Sequence, residues 1–324
     1  MRKFNHIREK KVITIPKHHR IIILGSGPGG CTAAIYTARA NLESAVITGL
    51  EQGGQLTKTA DIENWPGEDA GISGIILMEK MLKQAQHFGS KIISDSIAQT
   101  DLSKRPFYLK GSNDEYTCDA LIIATGASAK YLGISSEQKY MGRGVSGCAV
   151  CDGFFYKNKK VAVIGGGNTA AEDAMYLAKL ASEVTIIHRR EGLRIESITI
   201  EQLKRTRNIK FELNQIVDEI LGDEHGVTGI RIKNVASNLT KEIEISGVFI
   251  AIGHKPNTEI FANQLDMEHG YIKTGLAYGA ETATSIPGVF AAGDVINQNY
   301  HQAVVAAGSG CMSAIDIKNF LSSL

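Results

Sequence analysis

Two stretches of the chain repeat one order of apolar and polar positions. In the first, the unbroken apolar run Ile21–Leu24 reads as a strand buried on both faces. Gly25, Ser26, Gly27, Pro28, Gly29 and Gly30 follow as G-x-G-x-x-G, then an alanine-rich helical stretch, then a second apolar run, "SAVIT", ending near Thr48. In the second stretch Val161–Ile164 is the strand. Gly165, Gly167 and Ala170 give G-x-G-x-x-A, a helix opens at Asn168 and Thr169, and "EVTIIHRR" is the partner strand. The two turns lie about 140 residues apart. A lone G-x-G-x-x-G is weak, but two of them, each between a strand and a helix with a second strand at the right distance, predict two βαβ dinucleotide folds. Each unit also closes alike, at Ala124-Thr125-Gly126 and at Ala251-Ile252-Gly253. A last strand and turn, "GVFAAGDV" (288–295), precede a helical stretch from about His301.

The expected fold class is therefore α/β, with two Rossmann-like, doubly wound, three-layer nucleotide-binding domains, the second inserted in the first. The predicted boundaries are a basic tail at 1–19, a discontinuous first domain at 20–128 and 255–324, and an inserted domain at 129–254. Three consecutive domains would leave only about 70 residues for the third, a thin core. At roughly 100–200 residues per domain, a chain of 324 residues fits two.

Composition narrows the classes. Hydrophobic residues at 43% and charged residues at 21% are ordinary for a globular protein, and a net charge of +1 argues against a dedicated nucleic-acid or anionic-membrane surface. No run approaches the about 18 apolar residues of a membrane helix. The first twenty residues carry seven Lys/Arg against one acid but no apolar core of a secretory signal, and read as a solvated tail. Five scattered cysteines do not form a secreted disulfide framework, so a cytoplasmic protein is expected.

The residues after each second strand choose the nucleotide. After the second unit come His188, Arg189, Arg190 and Arg194, with no acid at the strand end. Guanidiniums suit a 2′-phosphate through bidentate bonds, so this unit is expected to take NADPH on Gly165, Gly167, Asn168, Thr169, the His188–Arg194 group, Ile252 and Gly253. The first unit offers Thr48, Gly49 and, slightly late for a ribose acid, Glu51. The loop "GGQLT", with Gly54, Gln55 and Leu56, has the close-approach character a bulky flavin needs. With Gly25–Gly29, Thr125 and Gly126 this unit is expected to take FAD. Two nucleotide sites in one chain suggest a relay.

Between the units stands "GCAVCDG", with Cys148, Cys151 and Asp152. Zinc needs about four ligands and one C-x-x-C supplies two, with no second pair in the chain. A structural disulfide is unusual in the cytoplasm. The spacing suits dithiol–disulfide exchange, in which one thiol is exposed and the other shielded. Asp152 could protonate a leaving thiolate or cap the next helix. Cys31, Cys118 and Cys311 read as buried small apolar residues.

Taken together, "GSGPGG", "GGQLT", "IENWPG", "LIIATGASA", "CAVCDGFFY", "VIGGGNTAAED", "HRREGLR", "AIGHKPN", "GVFAAGDV" and "HQAVVAAGSGCM" resemble the low-molecular-weight, bacterial-type thioredoxin reductases from Arg20 to the C-terminus. The resemblance implies a flavoprotein fold with two dinucleotide-binding domains, a homodimer, and thioredoxin as the disulfide substrate. It implies that Cys151 faces the flavin, that Cys148 attacks thioredoxin, and that Asp152 is the acid. It places Arg189, Arg190 and Arg194 on the 2′-phosphate, Gly293 and Asp294 at the flavin ribityl chain, and His301, Gln302 and Ala303 near its ring, with Asn64 on the flavin side. It further implies that the inserted domain rotates on crossings near Ala127 and Gly253 between half-reactions. Two positions depart from the family pattern: Val150 replaces the threonine of C-A-T-C, and His301 replaces the arginine of R-Q-A. The other readings are a peroxidase reductase component, a ferredoxin- or flavin-linked reductase, a small-molecule dithiol oxidase and a nucleotide sensor without turnover.

Overall fold

In the computed structural model, residues 15–59, 61–69, 71–277 and 279–324 are described. Most of the expected basic tail lies outside them. The chain divides into two compact units. One holds the residues up to Gly54, Glu79–Gly126 and Thr258–Leu324; the other holds Gln55–Met78 and Ala127–Asn257.

In the first unit β1 (Lys17–Leu24) leads into α1 (Pro28–Arg39) and β2 (Ser44–Ile47). β1 starts earlier than the apolar run suggests. Lys17, His18 and His19 pair with Tyr116, Thr117 and Cys118, which extends the strand into the expected tail. Pro28 sits at the first helical position, where its missing N–H costs nothing. The helix α2 (Gly74–His87) crosses the division at Met78, and is followed by β3 (Lys91–Ile93), β4 (Ile97–Asp101), β5 (Phe107–Gly111) and β6 (Glu115–Ile123).

The second unit starts with β7 (Ala127–Ala129), α3 (Ser135–Tyr140), β8 (Val145–Ser146) and α4 (Ala149–Asp152). Then come β9 (Lys160–Ile164), α5 (Asn168–Leu177), β10 (Glu183–His188), α6 (Ser197–Arg205) and β11 (Ile209–Leu213). A three-stranded antiparallel sheet, β12 (Gln215–Gly222), β13 (Val227–Asn234) and β14 (Thr240–Glu244), precedes β15 (Gly247–Ile250). The unit's main sheet is parallel throughout, in the order β11-β10-β9-β15-β8. β16 (His254–Pro256) closes the unit by pairing with β7.

The chain then returns to the first unit through β17 (Met267–Glu268), β18 (Tyr271–Ile272), β19 (Val289–Ala291) and α7 (Ala303–Ser322). β19 pairs with the C-terminal half of β6, so the sheet β3-β2-β1-β6-β5-β4 is completed by residues nearly 170 positions further on. Apolar residues cover both faces of this sheet, with Ile22, Leu24 and Ile123 on one side and Ile21, Ile23 and Ile122 on the other. The unbroken apolar runs in the sequence have that cause. Among the described residues no helix is long and apolar enough to cross a membrane.

Candidate functional site

The glycine turn of the first unit is built by close backbone approach. Side chains at Gly25 or Gly30 would collide with the Ala124 and Gly25 carbonyls. Gly29 lies against Ala306, and a methyl group on Gly310 would strike the Gly29 carbonyl, so α1 and α7 cross at bare backbone. Gly293 is also beside Gly29, which brings the "GD" of β19's turn onto the first glycine turn. The Gly293 N–H donates to Ser309 Oγ at 2.8 Å, and Ser309 Oγ donates to the Ala306 carbonyl. Ser26 is buried: its hydroxyl donates to the Thr48 carbonyl at 3.0 Å and accepts the Gly53 N–H at 2.9 Å. It therefore staples the loop at Gly53 and Gly54 over the turn, and its hydroxyl is occupied in doing so. Thr48 is buried, while Glu51 is exposed.

Gln55, Leu56 and Asn64 belong to the other unit, where Asn64 is exposed. Gly126 has φ +70 and open space where a side chain would stand. Asp294 is partly buried, and burial pushes its carboxyl up to about 6, with no opposing charge acting on it among the described residues. An acid held in that state suits the hydroxyls of a sugar alcohol. His301 stacks on Tyr271, with centroids 6.4 Å apart, just ahead of Gln302 at the start of α7 and Ala303 in its first turn.

In the second unit, Gly165 lies against the Ala251 carbonyl and Ala170, which admits no side chain. Gly166 lies under the His188 ring, while Gly167 faces open space at the helix N-terminus. Asn168 and Thr169 are exposed there, as are Arg189, Arg190 and Arg194. The Arg194 N–H donates to the Gly166 carbonyl at 2.7 Å, which ties the basic loop to the glycine turn. A helix N-terminus, a bare glycine edge and three guanidiniums together fit a phosphorylated dinucleotide. His188 is buried, and its Nε2 has no hydrogen-bond partner among the described residues. Burial, then Arg194, Arg190 and Arg189, hold its pKa below the ordinary value. Ile252 is partly exposed and Gly253, at φ +95, is open.

Cys148 and Cys151 form a disulfide, with Cα atoms 5.3 Å apart. The loop follows β8 at the edge of the parallel sheet, and Ala149 is buried in one cluster with Ala170, Ala174 and Leu177 of α5. The redox loop and the dinucleotide helix thus share a core. Both cysteines are half-buried, and Val150, Phe154 and Phe155 are exposed beside them. Asp152 makes no side-chain cap on the turn Gly153–Tyr156, which removes the capping alternative. Burial raises its pKa, and a hydrogen bond from Ser146 lowers it. Cys31 and Cys118 are buried, and burial holds both thiols protonated, Cys31 at about 12. Cys311 is a correction: it is only partly buried on α7. Ser146 and Ser309 carry site geometry that sequence reasoning missed, since an isolated serine has no spacing signal.

An α/β chain with two strand–glycine–helix turns, and a C-x-x-C disulfide packed on one of them, defines a dinucleotide-dependent disulfide oxidoreductase. Residues 19–310 match the family described as pyridine nucleotide-disulphide oxidoreductase. A Vibrio cholerae protein named thioredoxin reductase is 56% identical, the match covering 95% of this chain and 98% of that one. A Pseudomonas fluorescens protein named glucosaminate ammonia-lyase is 53% identical over 95% and 97%. A solved thioredoxin reductase from Giardia duodenalis superposes with a TM-score of 0.90 at 39% identity, covering 94% of this chain and 99% of that one. The chain belongs to the pyridine nucleotide-disulphide oxidoreductases and, within them, to the thioredoxin reductase family.

Proposed function

We propose that this protein is an NADPH-dependent thioredoxin reductase that uses FAD, with Cys148 and Cys151 as its working dithiol. The observation that carries this reading is the half-buried Cys148–Cys151 disulfide, seated on the same core as the glycine turn and flanked by exposed apolar side chains. A lyase has no use for such a pair, so the disulfide separates this chain's chemistry from the name of its Pseudomonas relative. Arg189, Arg190 and Arg194 hold the 2′-phosphate of NADPH, with Gly167, Asn168 and Thr169 on the pyrophosphate, Ile252 and Gly253 at the open edge, and His188 supporting the turn from below. On the flavin side, Gly25, Gly27, Pro28 and Gly29 receive the pyrophosphate, and Thr48, Gly49 and Glu51 lie toward the ribose. Ser26 shapes the loop carrying Gly54 and, beyond it, Gln55 and Leu56. Thr125 and Gly126 leave the space, Gly293 and Asp294 meet the ribityl chain, and His301, Gln302 and Ala303 lie toward the ring, with Asn64 assigned there from the family resemblance. Bound there, FAD supplies a carrier that takes two electrons from a reduced nicotinamide and passes them to a disulfide. Cys151 is the sulfur turned to the flavin, Cys148 the one that attacks the partner disulfide, and Asp152 the proton donor.

The partner is thioredoxin, and Val150, Phe154 and Phe155 form the apolar rim it meets. The protein is cytoplasmic and homodimeric in this reading, the latter checked by sedimentation at enzyme-assay concentrations. The purified protein should be yellow, NADPH should bleach the flavin band, and oxidised thioredoxin should restore it. Cys148→Ser should still bleach with NADPH yet leave thioredoxin oxidised. Normal turnover of thioredoxin by that variant would remove the assigned role of Cys148.

A further inference from the structure

β19 runs into the core of the first unit, and Ala291, Ala292 and Val295 are all buried there. Between them the chain turns at Gly293 and Asp294. The Ala292 N–H still donates to the Ile123 carbonyl at 2.9 Å, as a strand amide does. The next amide has left the sheet and needs another acceptor. It is the Gly293 N–H, and it donates to Ser309 Oγ at 2.8 Å, 16 residues further along the chain on α7. The Ser309 proton points the other way, to the Ala306 carbonyl three residues back at 2.9 Å. The hydroxyl thus holds the turn with a lone pair and is itself held by its proton.

Three elements meet at this point. The Ala306 carbonyl is 3.1 Å from where a side chain on Gly29 of α1 would begin, and Gly293 Cα is 3.7 Å from the same place. Gly310, the residue after Ser309, rests on the Gly29 carbonyl. Gly293 stands at φ +80, a left-handed conformation that glycine enters and leaves at little cost. The Ile296 N–H donates to the Gly293 carbonyl at 3.1 Å, which closes the turn from within but does not tie it to the helix. The Ser309 bond supplies that tie, directly before Asp294.

We propose that Ser309 is a positioning residue for flavin binding, whose hydroxyl fixes the Gly293 turn against α7 and so aims Asp294 at the site built around the first glycine turn. This rests on the reading of that turn as the flavin site and adds a residue to it. Ser309 acts through the backbone of the turn, so its removal misplaces Asp294 rather than deleting a flavin contact. The helix itself should not suffer, because alanine is a better helix former than serine. Whatever Ser309→Ala loses is therefore lost at Gly293.

The test uses holoenzyme diluted until bound and free FAD equilibrate, and reads the FAD dissociation constant from flavin fluorescence. Ser309→Ala should weaken FAD by about five- to tenfold, as expected when a buried amide loses its acceptor. Ser309→Thr should stay within about twofold of wild type, since a threonine hydroxyl on a helix can make the same bond to a carbonyl three residues back. A merely structural lesion would weaken FAD whatever residue stands at 294. In the Asp294→Asn background, by contrast, Ser309→Ala should cost less than about twofold, because the two act as one unit. Hydrogen exchange over 289–296 gives a readout independent of affinity, and should quicken in Ser309→Ala but not in Ser309→Thr. Unchanged FAD affinity in Ser309→Ala, a Ser309→Thr variant as weak as Ser309→Ala, a full loss persisting beside Asp294→Asn, or equal exchange in the two variants would overturn the proposal. Wild-type holoenzyme that holds FAD but cannot reduce thioredoxin would instead sink the functional reading and leave this cycle measurable, whereas a wild-type chain with no affinity for FAD would sink both.

Discussion

The carboxyl of Asp294 is pushed up to about 6 by burial alone. Its unfolded value is near 3.9. A carboxyl raised on folding contributes stability that is fully present below pH 3.9 and is lost as pH rises through about 6. Above that the flavin-free protein holds a partly buried carboxylate with no opposing charge acting on it among the described residues. Asp294→Asn should therefore stabilise the flavin-free form at pH 8, by about 1–2 kcal/mol, and make little difference at pH 4. The same variant should retain flavin less well at pH 8, because it replaces an acceptor for ribityl hydroxyls. Chemical denaturation of apoprotein and the flavin dissociation constant at the two pH values check the pair. Equal stabilisation at both pH values would refute the titration argument. At the other nucleotide, Arg189→Gln with Arg190→Gln should erode the preference for NADPH over NADH, measured as the ratio of kcat/KM, by at least about tenfold. The arginines were legible in the sequence because charge selects the sugar directly. Ser26 was legible only as part of a glycine motif, and its actual work, bridging Thr48 and Gly53, was not, because both bonds depend on where the chain returns.

At the scale of elements, β5 and β6 are joined through an acid that no local pattern announces. Asp95 is 5% exposed and accepts the N–H groups of Ser96, Ser112 and Asn113 together with the Tyr116 hydroxyl. Its burial works against the charge, but these bonds outweigh it and hold the carboxyl below its ordinary value. Gly111 leaves the room, since a side chain there would collide with the Asp95 carboxylate. Asp95→Ala should cost about 2–4 kcal/mol, because the buried Tyr116 hydroxyl and several part-buried backbone donors lose their acceptor together. Being lowered on folding, the Asp95 contribution should be present above about pH 4 and fade on acidification; a stability loss in Asp95→Ala that is as large at pH 3 as at pH 7 would contradict it. The two glycine turns and their strands were legible because period and spacing are local. Asp95 was not, because its partners on the β5–β6 turn and β6 lie 17–21 residues away. The crossing of α1 and α7 at Gly29 and Gly310 was hidden for the same reason.

At the scale of the whole molecule, the two units keep separate cores. Ile22, Leu24 and Val289 mark one, and Val161, Val163 and Phe249 mark the other. The insertion was legible because the turns are about 140 residues apart, with a late strand left over for the first sheet. The placement of Gln55–Met78 with the second unit was not, since that segment has no periodic pattern of its own. A ligand stabilises the state that binds it, by about 2.7 kcal/mol at one hundred times its dissociation constant. Separate cores should therefore respond separately. Hydrogen exchange read by mass spectrometry on apoprotein should show FAD slowing exchange in β1, β2, β6 and β19, and NADP⁺ slowing it in β9, β10 and β15. In the Arg189→Gln, Arg190→Gln variant the NADP⁺ effect should fall away while the FAD effect on β1 stays, because the change touches only one pocket. Protection of β9 and β10 by FAD alone, with none in β1 and β2, would exchange the two nucleotide assignments, and with them the direction in which electrons reach Cys151.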